Sequence, residues 1–312
     1  MKIVFMGTPE FAVPSLEILL KNKYNIVGVV TSTDKYGGRG MKKLIESPVK
    51  KYALEKGLKI MQPKNLKSLE FIDELKSLNA DLQIVVAFRM LPEVVWNMPP
   101  LGTYNLHSSL LPKYRGAAPI NWAIIKGEKE TGVTSFKLQH KIDTGDILFQ
   151  EKIKIDENET AGELHDKLMI LGAEVVLKTV NSIKQGKVEL KTQNDLEATK
   201  APKIYTEDCK INWDDTASNI HNFIRGLSPY PGAWTILDKK IFKIFRASKI
   251  EDQNGGSPGK IFTDNKKYLK ISTCDGVIDV LEVKMQGKKK MNIKSFLNGY
   301  DIHSNMVIFK NN

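Results

Sequence analysis

The chain has 312 residues, of which 41% are hydrophobic, and its formal net charge at pH 7 is +11. This length and composition suffice for two domains with cores of their own, and they exclude a disordered chain. The two cysteines, Cys209 and Cys274, exclude a disulfide framework and lack the spacing of metal ligands, and no apolar run reaches membrane-spanning length.

The first 185 or so residues alternate apolar strand-like runs with helical patterns. Strands are predicted at Ile3 to Met6, Ile26 to Thr31 and Leu82 to Phe88. Helices are predicted at Pro14 to Lys23, Pro48 to Glu55, Leu66 to Leu78 and Thr160 to Lys184. This alternation predicts an α/β fold, a Rossmann-like mostly parallel sheet with helices on both faces. Since a strand begins at Ile3, we expect no targeting peptide and a cytoplasmic location.

The chain changes character after residue 187, where we expect the first domain to end. Val188 to Lys203 is polar with little periodicity, which predicts a linker. After a helical segment at Ala217 to Gly226, strands are predicted at Trp234 to Leu237, Ile241 to Ala247, Tyr268 to Thr273 and Val277 to Val283. Asp275-Gly276 is the strongest hairpin signal. Residues 204–312 are therefore predicted to form a small β-barrel domain, ended by a helix at Ile293 to Leu297.

Asn105 and His107 lie two residues apart in an extended segment, so their side chains would enter one pocket. When an amine attacks a carbonyl carbon, a fixed amide such as that of Asn105 stabilises the developing oxyanion by roughly 3 kcal/mol. An imidazole carries protons near neutral pH. A carboxylate packed against it, such as that of Asp143, would fix its tautomer and favour the imidazolium. The trio predicts transfer chemistry at a carbonyl, although the same residues also suit turns, and both interpretations stay open at this point.

Several segments spread along the chain form a set with Asn105-x-His107. They are Phe5 to Ala12, Gly38 to Gly40, Ser47 to Lys50, Ser109 to Pro112, Arg115 to Pro119, Asp143 to Asp146, Ala201 to Lys203 and Ile211 to Trp213. With this set the chain resembles the folate-dependent formyltransferases over its full length, and most closely those members that act on methionyl-tRNA.

The resemblance implies transfer of the formyl group of 10-formyltetrahydrofolate to the α-amino group of initiator methionyl-tRNA, giving formylmethionyl-tRNA. In that reaction Asn105 would donate to the formyl oxygen, His107 would shuttle the proton and Asp143 would orient His107. The resemblance also implies an OB-like form for the second domain, which would bind tRNA. No metal is required, no membrane is involved, and we expect a monomer.

A folate pocket is implied at two loops and at the segment after His107. Its expected residues are Phe88, Met90, Leu91, Ser109, Leu110, Leu111, Pro112 and Ile142. Both loops depart from the family pattern. Arg89 stands where a glycine is usual, and Gln139 to Ile142 replace the acid and glycine that ordinarily precede Asp-Thr-Gly-Asp. His140 is expected to be an exposed loop residue.

The positive charge favours a polyanionic partner, with plain solubility as the other explanation. In the family the basic loop at Gly37 to Lys43 enters the tRNA acceptor stem, and basic residues of the second domain could contact phosphates. The residues expected to bind tRNA are Arg39, Lys42, Lys43, Lys203, Lys243, Arg246, Lys288 and Lys289. A solvated lysine face is the alternative for any one of them.

Three other functions stay open on the sequence. A formyltransferase acting on a nucleotide-sugar amine shares the Asn/His/Asp set but does not need a basic loop. A folate hydrolase would release formate without an amine acceptor. A tRNA-binding module without activity is conceivable because both folate loops depart from the family pattern.

Overall fold

The computed structural model describes residues 1–37, 43–251, 256–302 and 308 of the chain. The chain divides into two compact units that are interleaved in sequence. The first unit comprises Met1–Gly116, Thr131–Ile153 and His165–Lys200, and the second comprises Ala117–Glu130, Lys154–Leu164 and Ala201–Asn312. The expected domains, 1–187 and 204–312, stay a prediction.

The strands up to residue 201 belong to three sheets. Their bounds are β1 Lys2–Gly7, β2 Asn25–Val30, β3 Lys35–Gly37, β4 Lys43–Ile45, β5 Ile60–Met61, β6 Leu82–Val86, β7 Thr103–His107, β8 Arg115–Gly116, β9 Glu130–Lys137, β10 Ile147–Lys154 and β11 Lys200–Ala201. The main sheet has the order β10-β9-β7-β6-β1-β2-β5, while β3 pairs with β4 and β8 pairs with β11. The pairs β1–β2, β1–β6, β2–β5 and β6–β7 are parallel, and β7–β9 is antiparallel. The predicted mostly parallel sheet is therefore confirmed.

The same stretch contains six α-helices in the described residues. Their bounds are α1 Val13–Lys21, α2 Pro48–Glu55, α3 Leu69–Ser77, α4 Glu93–Trp96, α5 Pro119–Ile125 and α6 Ala161–Lys184. Ser47 caps α2, since its hydroxyl accepts the Lys50 N–H at 3.0 Å, and Pro48 occupies the first turn.

Among the predicted bounds that differ from the structure in this stretch, two have a clear physical reason. The helix predicted from Leu66 begins at Leu69, which is 77% exposed, and Phe71 is the residue that turns inward with Leu75. The strand predicted to reach Phe88 ends at Val86, because Ala87 has a φ of +48° and cannot continue a strand.

The second unit contains an antiparallel sheet of the order β12-β13-β16-β15-β14, with β17 paired to β16. Its elements are α7 Ala217–Gly226, β12 Ala233–Leu237, β13 Lys240–Glu251, β14 Ile261–Thr263, β15 Leu269–Ser272, β16 Gly276–Met285, β17 Met291–Asn292 and α8 Ile293–Leu297. The hairpin predicted at Asp275-Gly276 is confirmed by the antiparallel pairing of β15 with β16. The sheet packs with α7 and α8 around one apolar core that includes Trp213, Phe242 and Phe296.

Candidate active site

Asn105 and His107 lie on β7, between β6 and β9 in the main sheet. Asn105 is opposite Val85 of β6, and His107 is opposite Thr134 of β9. The ring of His107 is buried, with 6% of the residue exposed, whereas Asn105 is half-buried. Within the described part of the chain, the side-chain amide of Asn105 has no hydrogen-bond partner, which leaves it available to a substrate oxygen.

The imidazole of His107 is fixed by a backbone carbonyl. Its Nε2 lies 2.9 Å from the carbonyl oxygen of Tyr114. A carbonyl oxygen only accepts, so Nε2 carries the hydrogen and the neutral ring has its lone pair on Nδ1. We expected Asp143 to fix the tautomer, but the Tyr114 carbonyl does so. Nδ1 is the nitrogen that can take up a proton.

Asp143 faces that nitrogen. Its Oδ2 lies 3.8 Å from Nδ1 of His107, which is an ion-pair distance and too long for a hydrogen bond. The carboxylate is positioned to stabilise the imidazolium that forms when Nδ1 is protonated. The structure thus brings His107 and Asp143 together, although 36 positions separate them in the sequence.

The backbone around Asp143 is held in an unusual conformation. Asp143 has a φ of +53°, which aspartate tolerates better than most residues, and its Oδ2 accepts the Gly116 N–H at 2.9 Å. Gly116 itself has a φ of +129°. Gly145 cannot carry a side chain, since a Cβ would lie 1.7 Å from the carbonyl oxygen of Lys137. The Asp-Thr-Gly-Asp segment is therefore a close backbone approach as well as a source of a carboxylate.

Gln193 supports this loop through hydrogen bonds, a role that no sequence pattern predicted. Its Nε2 donates to the carbonyl oxygens of Asp143 at 2.9 Å and Gly145 at 2.7 Å. Its Oε1 accepts from Arg115 Nε at 3.1 Å and Nη2 at 2.7 Å, and Nη2 also pairs with Asp195 at 2.7 Å. Gln193 lies in the segment predicted to be a linker, whose polar composition hid its role. Only Arg115, within a recognised motif, offered a signal.

The segment after His107 is tied to β9 and β10. Thr134 donates its hydroxyl to the Ser109 carbonyl at 2.6 Å and accepts the Leu111 N–H at 3.1 Å. Gln150 donates to the Leu111 carbonyl at 2.8 Å. Ser109 and Leu111 are buried, while Leu110 and Pro112 are half-buried. Of these four expected folate residues, Leu110 and Pro112 are thus the more accessible.

A groove of about 880 Å³ has Met90 and Leu91, two of the other expected folate residues, in its lining. It is lined by residues 64–67 and 89–94, with Met90 75% exposed and Leu91 buried. Arg89 donates to the carbonyls of Pro63 and Lys64, and its guanidinium lies 5.7 Å from the ring centre of Phe88. The unusual arginine therefore forms part of the groove wall, with Lys64 and Lys67 nearby.

The loop that carries Ile142 and Asp143 also contacts α4. His140 is exposed, as expected, but its Nε2 lies 3.4 Å from Oε1 of Glu93. Its ring meets that of Trp96 edge-on, with ring centres 5.3 Å apart. Ile142 is 63% exposed. The loop is thus attached at both ends, through His140 to α4 and through Asp143 to Gly116 and Gln193.

The residues expected to bind tRNA differ in how available they are. Arg39 and Lys42 lie outside the described residues, and Lys43 is exposed on β4. In the second unit Lys203, Lys288 and Lys289 are exposed. Lys243 donates to the Pro231 carbonyl at 2.7 Å, and Arg246 is paired with Glu163 and Glu282. Lys243 and Arg246 would therefore give up these internal partners in order to bind phosphates of a tRNA.

The described residues contain neither a cluster of metal ligands nor a helix that could span a membrane. In the ranges 1–37, 43–251 and 256–302, no three His, Cys, Asp or Glu side chains are grouped as metal ligands would be. In the same part of the chain, every helix is too short or too polar to cross a membrane.

Comparison with known proteins gives consistent relatives. The family model described as formyl transferase matches residues 1–180, and that described as formyl transferase, C-terminal domain, matches residues 203–301. A methionyl-tRNA formyltransferase of Azobacteroides pseudotrichonymphae is 54% identical over 96% of this chain and 95% of its own length. That of Bacteroides fragilis is 49% identical over 97% and 96%. An N-formyltransferase of Helicobacter canadensis, solved with folinic acid and dTDP-3-aminofucose, is 25% identical over 93% of this chain and 100% of its own, with a TM-score of 0.68.

Proposed function

Because the chain belongs to the formyl transferase family, we propose that it transfers the formyl group of 10-formyltetrahydrofolate to the α-amino group of methionyl-tRNA. The observation that carries the chemistry is the placement of His107 Nδ1 3.8 Å from Asp143, with the amide of Asn105 on the same strand. The identity of about half to methionyl-tRNA formyltransferases, over nearly the full length of both chains, supports this acceptor.

The reaction forms one bond and breaks one. The α-amine, with a pKa near 8 when unperturbed, is partly neutral at pH 7 and attacks the formyl carbon. Asn105 donates to the formyl oxygen as the carbon becomes tetrahedral. Nδ1 of His107 takes a proton from the attacking nitrogen, and Asp143 stabilises the resulting imidazolium. The proton is then delivered to the folate nitrogen as its bond to the formyl carbon breaks.

The groove beside Met90 and Leu91 supports a folate co-substrate. Its apolar side chains suit a ring, and Lys64, Lys67 and Arg89 suit the carboxylates of the glutamyl tail. Ile142, exposed on the neighbouring loop, and Leu110 and Pro112 are the further residues proposed to contact the folate. A monomer in the cytoplasm that needs no metal remains our prediction.

The test is to mix the purified protein with methionyl-tRNA and 10-formyltetrahydrofolate, hydrolyse the ester bond of the tRNA, and measure formylmethionine. Parallel reactions contain a nucleotide-sugar amine in place of the tRNA, or no acceptor. We expect formylmethionine only with the tRNA, at a rate that falls steeply with salt because phosphate contacts are salt-sensitive. Formylation of the sugar amine alone, or release of formate without an acceptor, would refute the proposal.

A further inference from the structure

The hairpin β3–β4 has no strand neighbour in the described residues. It forms a two-stranded sheet of its own, in which Lys35 is opposite Ile45 and Gly37 is opposite Lys43. A lone two-stranded hairpin is marginal in water, so its orientation depends on what holds its base. Its outer surface combines Lys35 and Lys43 with three exposed apolar side chains, those of Tyr36, Leu44 and Ile45.

Lys50 forms ion pairs with the residues that flank the hairpin on both sides, before β3 and after β4. Asp34 immediately precedes β3 and Glu46 immediately follows β4. Nζ of Lys50 lies 2.5 Å from Oδ2 of Asp34 and 2.8 Å from Oε1 of Glu46. The side chains of Lys50 and Asp34 are only 14% and 19% exposed, so their ion pair is better shielded from solvent than an ordinary surface pair, while that of Glu46 is 32% exposed.

Lys50 and Asp34 are themselves held in place by neighbouring residues. Lys50 lies in the first turn of α2, whose cap Ser47 contacts the buried hydroxyl of Thr31 at 2.7 Å. Gln62 donates to Oδ1 of Asp34 at 2.9 Å. Hydrogen bonds from Lys50 and then from Gln62 hold the pKa of Asp34 below its usual value, and Asp34 raises the pKa of Lys50. Asp34 and Lys50 are therefore both charged at neutral pH.

Resting on the proposed function, we propose that Lys50 is a positioning residue for tRNA recognition. Lys50 fixes the β3–β4 hairpin so that the lysines of the hairpin meet the phosphates of the tRNA. Lys50 has a second effect through charge. Without its ammonium, Asp34 and Glu46 would place two uncompensated carboxylates at the base of the hairpin, where Asp34 precedes Lys35 in the chain. Those carboxylates would compete with RNA phosphates for the hairpin's own lysines.

The experiment compares Lys50→Met with Lys50→Arg and with Lys59→Met. Lys59 is the matched control because it forms a lysine–glutamate pair of 3.0 Å with Glu74 on the surface of the same unit. We measure kcat, the KM for each substrate, and the binding of uncharged tRNA over a range of salt. Thermal melts establish that each variant is folded.

For Lys50→Met we expect the KM for methionyl-tRNA and the Kd for uncharged tRNA to rise by about ten-fold, with kcat and the folate KM within about two-fold of wild type. The slope of log Kd against log salt should fall by roughly one to two, because hairpin phosphate contacts are lost. Lys50→Arg should restore most of the binding, and Lys59→Met should behave as wild type.

Unchanged tRNA binding and salt slope in a folded Lys50→Met would overturn the proposal, as would an equal rise in both KM values. If Lys50→Met fails to fold, Glu46→Gln releases only the β4 end and should weaken tRNA binding by about three-fold, again with a lower salt slope. Failure of the wild-type protein to formylate methionyl-tRNA would refute the proposed function instead, and the tRNA-binding comparison would still decide the role of Lys50.

Discussion

The side-chain amide of Gln193 donates to the backbone carbonyl of Asp143, so the acid of the site is held by a residue 50 positions away in the chain. Gln193 also joins Asp143 to Arg115, whose neighbour Gly116 donates to the same aspartate. Misplacement of a reacting group by even 1 Å is costly in rate. The brace is therefore part of the reason that Asp143 stays beside His107.

Replacing Gln193 with leucine should lower kcat by about 10- to 100-fold, because the loop that carries Asp143 loses two hydrogen bonds. The KM for methionyl-tRNA should change little. Steady-state kinetics at saturating substrates test this. Gln185→Leu, at the exposed end of α6, is the control, and an equal loss there would argue against a specific brace.

The variant Asn105→Ala should lower kcat by about 10² to 10³-fold, the usual effect of removing one oxyanion donor. Binding of uncharged tRNA should be unchanged, since the amide is proposed to contact only the formyl oxygen. Single-turnover formylation and a tRNA-binding titration measure the two effects. Asn298→Ala, at the exposed end of α8, is the matched control. Wild-type turnover in Asn105→Ala would remove this residue from the mechanism.

The variant Asp143→Asn removes the negative charge of the side chain but keeps its size and its ability to accept a hydrogen bond. The amide oxygen can still accept the Gly116 N–H, so the thermal midpoint should stay close to that of wild type. The charge opposite Nδ1 of His107 is lost, and kcat should fall by about 10²-fold. Asp146→Asn, in the same loop, is the control. If both variants lose the same activity, the loop rather than the charge at residue 143 is responsible.

The buried His221 is expected to make the free energy of unfolding depend on pH. Burial, with the cations Arg225 and Lys249 nearby, lowers the pKa of His221 to about 4 from the usual 6.5. Between these values the unfolded chain binds the proton and the folded chain does not, so the stabilisation is present above pH 6.5 and is lost as pH falls toward 4. The full loss is about 3 kcal/mol.

Urea unfolding at pH 7, 6 and 5 measures this dependence. We expect the free energy of unfolding of the wild-type protein to fall over that range and that of His221→Gln to fall less steeply. His165→Gln, at a half-exposed histidine on α6, should keep the wild-type slope. Equal slopes for wild type and His221→Gln would show that other groups dominate.

Elements with local signals were predicted well from sequence. The bounds of α2, α7 and α8 match the prediction, because Ser47, Thr216 and Asn292 each cap the helix that follows. The end of β6 was predicted too late, since the positive φ of Ala87 leaves no mark in an apolar run. The two loops predicted to bind folate are tied through Arg89 and His140 to residues far away in sequence, and no local pattern predicts such contacts.

The sequence by itself predicted Asn105, His107 and Asp143 as the side chains that carry the chemistry, and it placed Asn105 and His107 on one strand, where a period of two residues gives them the same face. Only the tertiary structure decided which nitrogen of His107 is free, since that depends on where the turn brings the carbonyl of Tyr114. It also decided that Gln193 braces Asp143 and that Lys50 joins both ends of the β3–β4 hairpin. Hydrogen bonds and ion pairs of this kind depend on distances in space, and the pattern of neighbouring residues does not encode them.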